Sequence, residues 1–153
     1  MTQQKEIIST INGLIETLKD GQEGFRQASE AVEDSQLKLL FNEYSIQRSK
    51  FAGELQSEAI GLGEDSPEDT SSTAGAMHRA WINLKGALTS HDDHAILAEC
   101  ERGEDSAVNE YKKAMESDEL SAPIRETITR QYADVKRAHD RIKQLRDVAD
   151  NNS

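Results

Sequence analysis

A single cysteine, Cys100, excludes an internal disulfide framework and suits a reducing compartment. Two prolines and 5% aromatics argue against a sandwich of short strands and tight turns. No apolar run approaches the roughly 20 residues of a membrane-spanning helix, and the N-terminus carries no apolar signal region. Basic charge is short as well. Lys and Arg number 18 against 29 Asp and Glu, a formal net charge of −11. Such a surface repels nucleic-acid phosphates and anionic lipid heads, so the expected partners include neither nucleic acid nor membrane. The expected location is the cytoplasm.

What is present is regular spacing. The hydrophobic fraction, 35%, falls at helical intervals, and a charged fraction of 31% suits long helices with one solvated face each. The first predicted helix, about 3–33, places Ile7, Ile11, Leu14, Leu18, Gly21, Phe25, Ala28 and Val32 in alternating steps of four and three, a heptad seam. The second, about 35–62 and capped by Asp34 or Ser35, aligns Leu37, Phe41, Tyr44, Arg48, Phe51, Leu55, Ala59 and Leu62. A polar connector at 63–72 leads to a short amphipathic stretch, 73–89, read as a crossover helix anchored by Trp81. Ser90 and Asp93 resemble a capping box opening the third long helix, about 91–117, with Leu97, Cys100, Glu104, Ala107, Tyr111 and Ala114 in its seam. The fourth, about 121–148, tolerates Pro123 in its first turn and aligns Ile124, Ile128, Tyr132, Val135, His139, Ile142 and Leu145. The expected fold is all-α: an antiparallel four-helix bundle with a crossover helix between the second and third long helices. Residues 1–150 form its single domain and 151–153 a disordered tail.

Three seams each carry one polar intruder: Arg48, Glu104 and His139. Each lies near the middle of its helix, so the three are expected to converge at the bundle centre. Lys136, one turn before His139, flanks the same face.

Several segments then resemble a known family. They are Leu14–Gly21 with Gly24-Phe25, Gln47–Leu55, His78-Arg79-Ala80-Trp81, Cys100–Asp105 and Ala138-His139-Asp140. Together they are similar to the DUF2383 family of bacterial ferritin-like bundles, whose biochemical role is unassigned. The resemblance implies a ferritin-like fold. In metal-binding bundles of that fold, two helices each give a Glu and two each give Glu-x-x-His. Carried onto this sequence, those places fall on Leu18, on Arg48 and Phe51, on Glu104, and on Lys136 and His139. One carboxylate then faces two fixed cations. At about 4 Å two like charges repel by roughly 4 kcal/mol at an effective dielectric of 20, so a dication is disfavoured. The expectation is a vestigial centre in which Glu104, paired with Arg48, Lys136 or both, stands in place of the metals, and no catalytic, metal or cofactor site.

The rival expectation is a reduced iron or zinc site on Glu104, His139 and a carboxylate such as Asp20 or Glu101. A third is a hydrophobic-ligand carrier with a cavity beside Leu18 and Phe51. His91-Asp92-Asp93-His94 has surface zinc or nickel spacing, against the simpler reading of a helix start whose acids complement the macrodipole. Cys100, in a seam, reads as a small buried apolar residue. The expected role is that of a non-enzymatic interaction or stress-associated protein with an unknown protein partner. Fold analogy rather than any residue pattern suggests a homodimer through an exposed helix face.

Overall fold

The computed structural model describes residues 2–63, 81, 83–90, 92–118 and 120–151. They form an all-α helical bundle of α1 (Thr2–Ala31), α2 (Ser35–Gly61), α3 (Leu84–Ser90), α4 (Asp93–Met115) and α5 (Ala122–Asn151). Local chemistry sets several ends. The Asp34 carboxylate accepts from the Gln36 and Leu37 amides at 2.8 and 3.3 Å, satisfying donors that the first turn of α2 leaves open. Gly63, with φ of 98°, takes the left-handed conformation just past the end of α2.

The start of α4 departs from the expected capping box. Asp92 is the cap, accepting from the His94 amide at 3.0 Å, while the Ser90 hydroxyl accepts from the Asp92 amide. Asp93 is left to reach across the bundle end, accepting from the Glu33 and Asp34 amides at 2.9 and 3.1 Å. That tie fixes the topology. It sets the first turn of α4 beside the first turn of α2, so these two helices run parallel. α1 packs antiparallel on α2 and α4 on α5, with α1 also against α4 and α2 against α5. α2 and α4 therefore face each other across the diagonal.

Of the expected crossover helix, 73–80 and 82 lie outside the described residues, and the observed helical part is the short α3. Trp81 is its anchor, only 3% exposed. Its indole fits a slot between two glycines on different helices. A Cβ at Gly24 of α1 would come within 2.5 Å of the ring, and one at Gly103 of α4 closer still, both inside the 3.0 Å that real Cβ atoms keep. The Phe25 ring meets the indole edge-on at 5.3 Å between centroids.

The core divides in two along the bundle axis. One cluster includes Ile11, Leu14, Leu18, Phe51, Leu55, Tyr111, Ile128 and Val135. The other includes Phe25, Val32, Leu37, Phe41, Trp81, Ile96, Cys100 and Ile142. The break falls at Gly21 on α1, at Arg48 on α2 and at Glu104 on α4.

Candidate functional site

Arg48 lies roughly thirteen residues into α2 and Glu104 roughly eleven into α4, so a rise of 1.5 Å per residue brings both to one level. They meet across the diagonal as a forked pair. Arg48 Nη2 donates to Glu104 Oε2 at 2.6 Å, and Nη1 donates to Oε1. The side chains are 1% and 0% exposed. Arg48 Nε donates to Gln47 Oε1 at 3.1 Å, and the guanidinium carbon lies 5.3 Å from the Phe25 ring centroid. On α1 the arginine lies against Gly21, where a Cβ would sit in ordinary van der Waals contact with Arg48 Nη1 and Cγ at 3.6 and 3.7 Å.

Burial works against the guanidinium's charge, but the charge of Glu104 and its hydrogen bonds outweigh it, and the Arg48 pKa stands above its usual value. Burial pushes the phenol of Tyr111 well up, and it raises the Tyr44 phenol, helped by the charge of Glu104. The same two causes lift the Cys100 thiol far above its ordinary range, so Cys100 is held as a protonated, buried thiol rather than a nucleophile.

Residues 6–117 match the family described as Domain of unknown function (DUF2383). The chain belongs to that family. The DUF2383 match takes in both charged partners, Gly21, and the Gly24–Trp81–Gly103 slot; it ends before α5, and so before Ala138-His139-Asp140. Curated proteins include no match to the chain.

The structure draws the fourth seam differently from the expectation. The residues of α5 that turn inward are Ile124, Ile128, Gln131, Val135, Ala138 and Ile142. Tyr132 and His139, one position further on, are only partly buried. This small rotation corrects the placement of two residues. Lys136 is not in the central network: its side chain is 41% exposed and its ammonium donates to Asp140 at 2.8 Å, the long stem carrying the charge outward. His139 sits at the rim, 14% exposed, with Nε2 2.5 Å from Asp105 of α4 and Nδ1 3.0 Å from Asp140. Burial lowers its pKa, but hydrogen bonds to Asp140 and Asp105 and their charges more than compensate, leaving it raised.

The same rotation brings in a residue the pattern missed. Gln131 is fully buried; its Oε1 accepts from the Tyr111 hydroxyl at 2.7 Å, and its Nε2 donates to the Phe51 carbonyl at 3.2 Å and to Glu54 Oε1 at 2.9 Å. One side chain thereby joins α2, α4 and α5 a turn or two from the ion pair. Its position, one turn from both Ile128 and Val135, was the available signal.

The donor set does not suit a di-iron centre. At the expected ligand level stand Leu18, Arg48, Phe51 and Glu104, and both Glu104 oxygens are already bound by a fixed cation. The rival ligands are dispersed: Glu101 pairs with Arg146 at 2.7 Å, and Asp20 is buried on the face of α1 that it shares with Gly24. Among the described residues, no three His, Cys, Asp or Glu side chains group so as to hold a metal ion. His91 lies outside the described residues, and His94 is half-buried beside the Asp92 cap. Leu18 and Phe51, the walls of the expected carrier cavity, are packed into the core at 1% and 3% exposure. Two surface cavities, of about 420 and 230 Å³, are lined by other residues: Leu37, Leu40 and Arg141 for one, Thr10, Gly13 and Glu110 for the other.

Proposed function

We propose that this DUF2383 chain is a non-enzymatic, ferritin-like bundle of the cytoplasm that works by binding a protein partner, its metal-centre position filled by an ion pair. The observation that carries the reading is the fork between Arg48 and Glu104, spanning the diagonal at full burial. A working di-metal site sets several carboxylates against two dications. Here the carboxylate at the expected ligand level, Glu104, is neutralised by an arginine that does not lose its proton. A metal entering this layer would have to break two charge-assisted hydrogen bonds and leave a buried cation beside it. The surrounding groups add no chemistry: Tyr111 and Cys100 are held in their protonated forms by burial. A stress-associated role fits a bundle whose centre is built for structure, with its binding work at the surface.

The test is metal content. Purified protein, incubated with ferrous iron or zinc without oxygen and then desalted, should retain well under one equivalent by elemental analysis. Retention of a full equivalent, lost in Glu104→Ala or His139→Ala, would overturn the reading in favour of a reduced metal site.

A further inference from the structure

α2 lacks the single polar outer face of an ordinary surface helix. Its inner seam is buried, yet Leu39, Ile46 and Ile60 stand 67%, 62% and 59% exposed on the opposite side. They are three of the four large apolar side chains exposed among the described residues, the other being Val148. Their positions fall on one heptad register, 39, 46, 53, 60, and the vacant place in it is Gly53. A glycine in a helix interior is unfavourable relative to alanine unless close packing needs it. Among the described residues nothing does: a Cβ at Gly53, as at Gly13, would meet no atom within 4 Å.

We infer that this outer face of α2 is where two copies of the chain pair, antiparallel, about a two-fold axis passing between Ser49 and Lys50. About that axis residue 39 faces 60 and residue 46 faces 53, so the stripe is complementary to itself. Ile46 of each copy enters the notch at Gly53 of the other, and Leu39 packs on Ile60. A parallel pairing would instead set Gly53 against Gly53 and leave a hole at the centre of the contact. Charge permits the same face. Outside its buried seam α2 sets Lys38 and Lys50 against Glu43, Glu54 and Glu58, a nearly balanced surface on a chain of net charge −11. Two such faces repel each other only weakly. The contact is independent of the polar layer, so it stands or falls apart from the reading of Arg48 and Glu104.

Sedimentation velocity of the full chain over a concentration series tests this. The wild type should form a species of twice 17.0 kDa. Ile46→Glu and Gly53→Leu should each weaken the association at least about tenfold, with helix content and melting temperature close to wild type. Gly53→Leu is the safer probe, because in the monomer its side chain enters open space. Orientation is read by oxidation: Ser49→Cys, beside the axis, should cross-link, whereas Leu39→Cys should not, because its two copies lie about 31 Å apart along the helices. A wild type that stays at 17.0 kDa up to about 100 μM, a dimer indifferent to both α2 substitutions, or a disulfide through Leu39→Cys would overturn the proposal.

Discussion

Replacing Glu104 by leucine keeps most of the volume and removes the only anion that the forked face of Arg48 meets in the described core. The arginine cannot shed its charge and, at 1% exposure, cannot reach water without moving a helix. Breaking a buried pair from one side typically costs about 3–5 kcal/mol, and burial this complete places the variant in that range. For a chain of this length that is a fall in melting temperature of roughly 6–20 °C. The double variant Arg48→Met with Glu104→Leu has no stranded charge and should lie within about 1 kcal/mol of wild type, or above it. The non-additivity is then about as large as the single effect. Arg48→Met alone differs in kind: the carboxyl left behind can neutralise itself by taking a proton, so its penalty should shrink as pH falls, whereas that of Glu104→Leu should stay flat. Urea unfolding followed by helical circular dichroism at several pH values measures all three. A loss below about 1 kcal/mol for Glu104→Leu, or a double variant no better than that single one, would refute the reasoning.

The glycine slot gives a second test, because Trp81 is the sole tryptophan. Gly24→Ala or Gly103→Ala should eject the indole, shift its emission to the red and cost about 1–3 kcal/mol, while Gly13→Ala, with nothing within 4 Å, should be neutral or stabilising. Gln131→Leu should cost about 1–3 kcal/mol by stranding the buried Tyr111 hydroxyl, and Tyr111→Phe combined with it should recover part of that loss. His139 links stability to pH. Its folded pKa lies above the unfolded value of about 6.5, so its contribution is fully present below that value and is lost as pH rises through the higher folded one. Thermal midpoints from acidic to mildly alkaline pH should therefore fall more steeply in wild type than in His139→Gln; parallel curves would count against the Asp105–His139–Asp140 contact.

The seams of α1, α2 and α4 were legible because their inward positions repeat every three or four residues and are almost all apolar. Arg48 and Glu104 were legible for the same reason inverted: a charge inside such a run has nowhere else to point. α5 was harder. Its steps allow two registers one residue apart, and the apolar choice, through Tyr132 and His139, is not the buried one. Gln131 takes the inward place instead, a polar residue tolerated because Tyr111, Phe51 and Glu54 satisfy it. A count of apolar residues cannot see partners on other helices, so Lys136 and His139 were drawn inward with the wrong register. The Trp81 slot was half visible. The indole stood out as the anchor of the crossover stretch, but only the fold shows that Gly24 of α1 and Gly103 of α4 face each other across its ring. The outer stripe of α2 passed unnoticed because the inner seam already accounted for that helix.

The forked pair also answers a problem that apolar seams create. A heptad repeat matches itself after a shift of seven residues, about 10 Å along the axis, so apolar burial alone discriminates poorly between neighbouring registers. In this bundle such a slip of α2 past α4 would push Arg48 into one apolar cluster and Glu104 into the other. Each charge would then be buried without the other, at a cost of several kcal/mol, comparable with the whole stability of an ordinary domain. The apolar double variant lifts that penalty. It should keep its helix content and resist urea at least as well as wild type, yet lose uniqueness: broader amide resonances at the level of residues 48 and 104, and faster amide exchange in α2. Wild-type line widths and exchange in the double variant would show that packing and the Asp93 tie set the register without the ion pair.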